Sequence, residues 1–170
     1  MTMTMINTNR RTLLKGTAAA AILAVVGCSS STTKQTPQAI GNLIVNGMNN
    51  VITYLSSAAV NVSATVLATV KQFVSAASAA VAQLPNTVGA VPVASIVQAV
   101  MAAVQSFASA VASFSLPSNI TIIVQSLLDV LPLLAADAGI AAAHATATPL
   151  FTPQEALDNL QALLVYSTQG

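Results

Sequence analysis

Charge is the property this sequence has least of. Its 170 residues include 5 Lys and Arg and 4 Asp and Glu side chains, and no charged residue lies between Lys71 and Asp129. Soluble domains typically carry about 25% charged residues. Disordered chains combine high charge with few apolar residues, so a composition that is 55% hydrophobic excludes that class. We therefore expect a folded chain whose surface is hydrated by Ser, Thr, Asn and Gln.

Basic residues are almost absent beyond the N-terminal segment. After residue 28 the chain has no arginine and two lysines, Lys34 and Lys71. Proteins that bind nucleic acid present a cluster or stripe of Lys and Arg that neutralises phosphates. The sequence therefore predicts no nucleic-acid partner.

Residues that carry chemistry are also few. The chain has one cysteine, which excludes an intrachain disulfide, and one histidine, so no metal cluster of the usual ligand spacing exists. Asp129 and Asp137 would lie near one face of a helix if Pro132 does not break it, close to His144, and such a group could support acid-base work. No nucleophile or pocket motif accompanies them. We interpret them as hydrating groups on an exposed helix face, and predict a protein that is not an enzyme and has no cofactor.

The N-terminal segment has the anatomy of a bacterial export signal. Arg10, Arg11 and Lys15 form a positive region, and an uncharged Ala-, Leu-, Ile- and Val-rich run follows from Gly16 to Gly27. The run is about a dozen residues, well short of the roughly 20 that span a bilayer as a helix. R-R-T-L-L-K resembles the twin-arginine export consensus, with Leu13 where Phe is favoured. The alternative is the general secretory route, whose signals can also carry two arginines.

The only cysteine lies where the apolar run ends. V-V-G-C, ending at Cys28, resembles the lipobox of bacterial lipoproteins, with Val25 in place of the usual Leu. This resemblance implies cleavage before Cys28 and acylation of its sulfur. A polar tract, S-S-S-T-T-K-Q-T-P-Q, follows and suits a flexible tether. The alternative, a lone buried thiol, is disfavoured because neither flank supplies a core.

Beyond the tether, apolar residues recur at helical spacing. A seam from Val93 to Phe114 alternates steps of four and three, and a second from Ile120 to Ala141 repeats the pattern, with Ser118 or Asn119 as the predicted N-cap. Ile44 to Leu84 keeps the period of a straight helix and predicts one long helix or two that meet near Ser56 and Ser57. A strand over Val60 to Val70 is the alternative, because β-branched residues are frequent there.

Two further sequence signals concern prolines and aromatic residues. T-P-Q-E at Thr152 predicts a capping box that begins the last helix, and Pro132 is expected to kink or split the helix around it. The phenylalanines fall on apolar seams and are expected to fill the core rather than bind a ligand; they are Phe73, Phe107, Phe114 and Phe151.

Together these patterns predict an all-α protein in three parts. Residues 1–27 are a cleaved export signal, residues 28–38 a lipidated N-terminus and polar tether, and residues 39–170 an Ala/Val/Ser-rich antiparallel bundle of about four helices. The predicted location is the bacterial cell envelope, on the membrane through the lipid anchor and facing the periplasm or the outer membrane.

Three functions fit this organisation. The first is a non-catalytic lipoprotein that acts as a scaffold or docking module, with an envelope protein or a second copy of itself as partner. The second is a membrane-active or pore-forming protein, which would explain the long uncharged segment, although Gln98 and Gln105 suit a lipid-facing span poorly. The third is a carrier that holds an apolar ligand between helices with small side chains.

Overall fold

The computed structural model describes residues 35–57, 61–140 and 149–167, with side chains up to residue 163. Within these residues the chain forms helices and no strands. The described residues form six helices, which are α1 Pro37–Leu55, α2 Ala64–Val81, α3 Ala94–Val111, α4 Ser118–Asp129, α5 Leu131–Asp137 and α6 Pro153–Ser167. The predicted all-α class is confirmed. The strand alternative is wrong for the described residues 61–70, because 64–70 belong to α2 and 61–63 form no strand.

The first predicted helical segment is divided in two. α1 ends at Leu55 with Ser56 as its C-cap, and α2 begins after Ser63, whose hydroxyl accepts a hydrogen bond from the Val66 N–H at 3.3 Å. A β-branched stretch therefore becomes helical once a serine cap satisfies a free donor of the first turn.

Proline divides the third predicted segment. α4 ends at Asp129, and Val130 separates it from α5. Pro132 lies in the first turn of α5, where backbone N–H groups have no partner within the helix, so its missing N–H costs no hydrogen bond. The predicted split is confirmed. The predicted N-cap of α4 is wrong, because Pro117 occupies that position and Ser118 is already helical. The breaks after Leu55 and at Val130 explain why the described residues form six helices where about four were predicted.

α1 is the central helix. It packs against α2, α4, α5 and α6, while α2 and α3 form the most extensive helix pair. Two glycines permit this: a Cβ at Gly41 would meet both γ-methyl groups of Val81 at 2.8 Å, and one at Gly47 would meet Leu127 Cδ2 at 3.0 Å. α1 thus approaches its neighbours closely at both glycines, and the contact is tighter at Gly41 than at Gly47.

The predicted seams form the core. On α3, five members of the seam are fully buried, namely Val97, Val100, Val104, Phe107 and Val111. Phe73, Phe114 and Phe151 are half-buried and pack against this core, which confirms the prediction that the aromatic residues are core fillers. Val93 is an exception, because it is 60% exposed.

Candidate functional site

The most elaborate polar arrangement in the described structure centres on Asp129. Its side chain is 6% exposed. Oδ2 accepts hydrogen bonds from the backbone N–H groups of Leu150 and Phe151, both at 3.0 Å, and Oδ1 accepts one from Nε2 of Gln125 at 3.0 Å. The carboxylate therefore holds the segment that enters α6 against the end of α4.

The start of α6 carries the predicted capping box. The Glu155 N–H donates to Thr152 Oγ1 at 3.3 Å, and the Thr152 N–H donates to Glu155 Oε2 at 2.8 Å. The backbone and side-chain hydrogen bonds from Thr152 lower the pKa of Glu155 from its ordinary value of 4.5. Asp129 and Glu155 thus both stabilise the start of α6. Asp129 holds the segment before this helix in position, and Glu155 caps its first turn.

The structure does not bring Asp129 and Asp137 together as an acid-base pair. Asp129 is buried and bonded to backbone, whereas Asp137 is exposed at the end of α5, beyond the break at Val130. His144 lies outside the described residues. The expectation that Asp129 hydrates an exposed helix face is wrong, because two donors of a separate segment draw it inward. For Asp137 that expectation is correct.

The residues predicted to direct export and carry lipid also lie outside the described part of the chain. They are Arg10, Arg11, Lys15 and Cys28. Within the described residues, no group of three or more His, Cys, Asp or Glu side chains could hold a metal ion.

The outer faces of α2 and α3 form a broad surface of small, neutral side chains. It exposes alanines, serines and threonines together with Gln72, Gln83, Gln98 and Gln105, and its one charged residue is Lys71. Three helical stretches are nevertheless long and apolar enough to cross a bilayer, namely Ala64–Val81, Ala94–Val111 and Ser118–Asp137. Their composition is compatible with membrane association.

A second surface lies on the connection between α2 and α3. We call residues 85–93 the valine loop, because it exposes Val88 to 54%, Val91 to 76% and Val93 to 60%. The Ala90 N–H donates to the Thr87 carbonyl at 3.2 Å, which closes a tight turn with Val88 at its apex. Gly89, at φ 79°, supplies the left-handed residue that this turn requires.

The base of the valine loop is bonded to the first turn of α1. The Gln38 N–H donates to the Pro85 carbonyl at 3.2 Å, and the Thr36 hydroxyl donates to Asn86 Oδ1 at 3.3 Å. The same Thr36 oxygen accepts from the Ala39 N–H at 3.0 Å as the N-cap of α1. The loop and the first described residues of the domain are therefore at the same end.

Sequence reasoning missed the exposed valines of the loop and the structural role of Asp129. The segment 84–92 reads as a break between helices, but its valines between two prolines were a visible signal, since turns normally carry polar residues. The role of Asp129 had no such signal, because its partners are backbone groups more than twenty residues away.

Comparisons of the chain with protein-family models, with curated proteins and with solved structures found no match.

Proposed function

We propose that this protein is a non-catalytic lipoprotein of the bacterial cell envelope, exported by the twin-arginine route, anchored through acylated Cys28, and serving as a helical scaffold or docking module. The twin-arginine-like residues, the apolar run and the lipobox-like V-V-G-C support the anchor. We further propose that the helices beyond the tether are arranged as an antiparallel bundle, an arrangement that the connections of 8 residues between α1 and α2 and of 6 residues between α3 and α4 favour.

One observation carries the docking proposal: the outer face of α2 and α3 is broad, helical and nearly without charge, while the seams of the same helices are buried. Small neutral side chains let another helix approach closely, and few charges have to be desolvated when it does. A partner helix from an envelope protein or from a second copy of the chain suits this face.

The use of the acidic residues agrees with a non-catalytic role. Asp129 is engaged by three hydrogen-bond donors and Glu155 by its capping box. Asp158 accepts a hydrogen bond from Gln154 within α6. Each of these carboxylates is thus bonded to backbone N–H groups or to a side chain of its own helix.

A membrane-active protein is the second candidate, favoured by the three stretches long enough to cross a bilayer. A helix in lipid would present its apolar side outward and enclose its polar groups. On α3 the arrangement is the reverse, because Val97 and Val104 are fully buried and Gln98 and Gln105 are exposed. We therefore rank the scaffold first.

The test is the intact mass of the full-length protein recovered from bacterial membranes, followed by an alkaline carbonate wash. The matched control combines Val25→Ala, Gly27→Ala and Cys28→Ser, which gives the A-x-A pattern cut in ordinary export and removes the lipidation site. We expect a mature mass that begins at Cys28 with added acyl chains, and a control that is washed off.

Two results would contradict the proposal. A mass without acyl chains would refute the anchor. A correctly cut control that stays in the membrane through the wash would show that the helices themselves insert, and the membrane-active function would then replace the scaffold.

A further inference from the structure

We propose that the valine loop is a second membrane contact, in which Val88, Val91 and Val93 enter the interfacial layer of the bilayer to which the protein is anchored. The occupant of this apolar surface is thus a lipid surface. The inference rests on the proposed lipid anchor at Cys28, and the test below separates the failure of one from the failure of the other.

The first observation is the chemistry of the loop. Five large apolar side chains of the described residues are strongly exposed, and three of them belong to this loop; the five are Val88, Val91, Val93, Ile122 and Leu150. Single exposed apolar residues are normal on a soluble domain, but a cluster marks an interaction surface. A valine at the apex of a turn, where Asn, Asp, Gly or Pro are usual, is hard to account for in water.

The second observation is independent and concerns position. Hydrogen bonds from Thr36 and Gln38 fix the start of α1 to Pro85 and Asn86 at the base of the loop. A fully extended chain from Cys28 to Thr36 spans at most about 28 Å. A lipid on Cys28 would therefore keep this end of the domain within about 28 Å of the membrane surface.

The depth of the contact follows from the backbone. Peptide groups of an irregular loop find no partners in the hydrocarbon layer, so the loop backbone has to stay among the hydrated headgroups. Only the valine side chains reach the acyl boundary, as the apolar faces of peripheral helices do at about 5–10 Å depth. The loop carries no carboxylate that anionic headgroups would repel.

The experiment uses a dye on residue 91 of the full-length protein. In the acylated protein the Cys28 sulfur is blocked, so Val91→Cys supplies a single free thiol for an environment-sensitive fluorophore. Val91 is the most exposed of the three valines, so the substitution leaves the core untouched. Vesicles are made of phosphatidylethanolamine and phosphatidylglycerol, with and without a doxyl-labelled lipid that quenches dyes at the acyl boundary.

Ser109→Cys is the matched control. Ser109 is exposed on α3 and lies about 24 Å along the helix from Val93. We expect the dye at residue 91 to shift to shorter wavelength and to be quenched by doxyl lipid, and the dye at residue 109 to do neither. Val88→Ser and Val93→Ser, added to Val91→Cys, should shift the emission back towards its position in water.

The other possible outcomes of the dye experiment each test the loop contact. Acylated protein whose residue 91 is not quenched overturns the loop contact and leaves the anchor standing. Quenching at residues 91 and 109 alike overturns it as well, because the whole hairpin would then be inserted. If the mass shows no acyl chains, the proposed anchor fails, and the dye is measured with the processed Cys28→Ser control added to vesicles: quenching at 91 alone supports the contact, and its absence refutes it.

Discussion

The carboxylate of Asp129 links two parts of the chain that are far apart in sequence. It receives hydrogen bonds from the backbone N–H groups of residues 150 and 151 and from the amide of Gln125, and Asp129 itself is 6% exposed. Hydrogen bonds to a charged group contribute about 1.5–3 kcal/mol each, and a buried donor left without a partner costs about 1–3 kcal/mol. The entry to α6 therefore depends on one side chain.

We expect Asp129→Ala to lower the free energy of unfolding by about 2–4 kcal/mol, because it leaves two backbone donors unpaired. Denaturant unfolding of the processed, unacylated protein measures this. Asp137→Ala is the matched control: Asp137 is exposed, so its change should stay within about 0.5 kcal/mol. Equal effects of the two substitutions would contradict the role given to Asp129.

Glu155 gives the start of α6 a dependence on pH. Because its pKa in the folded state lies below the ordinary value of 4.5, its contribution to stability is complete above that value. The contribution is lost as the pH falls through the lower, folded-state pKa. We expect the stability of the wild type to fall more steeply below about pH 4.5 than that of Glu155→Gln, which cannot titrate. Parallel pH profiles from denaturant unfolding would refute this.

At the scale of helices, glycine sets how closely α1 approaches its neighbours. A Cβ at Gly41 would lie 2.8 Å from both γ-methyl groups of Val81 and 3.0 Å from Leu84 Cδ1. Val81 and Leu84 are themselves buried, so they have little room to move. At Gly47 the nearest atoms are the ends of longer side chains, Leu127 Cδ2 at 3.0 Å and Leu160 Cδ2 at 3.1 Å.

Alanine at these two positions should therefore have different effects. In a helix interior Ala is favoured over Gly by about 0.8–1 kcal/mol, while overpacking a core typically costs about 1–3 kcal/mol. We expect Gly41→Ala to destabilise the protein by about 1 kcal/mol and Gly47→Ala to be nearly neutral. Thermal unfolding of both variants measures the difference. A Gly41→Ala protein at least as stable as Gly47→Ala would show that the α1–α2 contact is looser than described.

At the scale of the whole described molecule, polarity is arranged as in a water-soluble bundle despite the apolar composition. The seams of the helices meet in one core, and the neutral polar residues of α2 and α3 face outward, whereas Ser126 on α4 is fully buried. The stretches that are apolar enough to span a bilayer owe this to alanine and valine and to the absence of charge. The proposed membrane attachment through the tether and the valine loop would leave this arrangement intact.

Charges introduced on the outer face of α3 distinguish a helix whose outer face lies in water from a helix that spans the membrane. We expect Gln98→Lys with Gln105→Lys to change the free energy of unfolding by about 0.5 kcal/mol or less per site, since both side chains are exposed. In a membrane-spanning α3, a lysine near the centre would cost about 2.5–3.5 kcal/mol.

The measurement is denaturant unfolding of the processed protein, together with the amount of acylated protein in the membrane. Val97→Lys with Val104→Lys is the control, because both valines are fully buried and the variant should not fold. Loss of the Gln98 and Gln105 variant from the membrane would indicate that α3 lies in lipid.

Much of the fold could be predicted from the sequence because it depends on neighbours along the chain. Helical class follows from apolar spacing, the split at Pro132 from a missing N–H, and the start of α6 from the Thr152 and Glu155 pair. The predicted signal, the lipid site and tether residues 28–34 also depend on local sequence, and they remain predictions because they lie outside the described residues. The last two residues of the predicted tether, Pro37 and Gln38, belong to α1 instead.

Tertiary structure alone decided the rest. The burial of Asp129 depends on donors brought to it by the return of the chain to α6. The spacing of Val93 had placed it in the core, but its side chain is exposed. Both this exposure and the position of Val93 at the same end as the start of α1 depend on how α1 meets the α2–α3 connection. Periodicity specifies which face of a helix is apolar, but long-range packing specifies where each helix face ends and what its last residues meet.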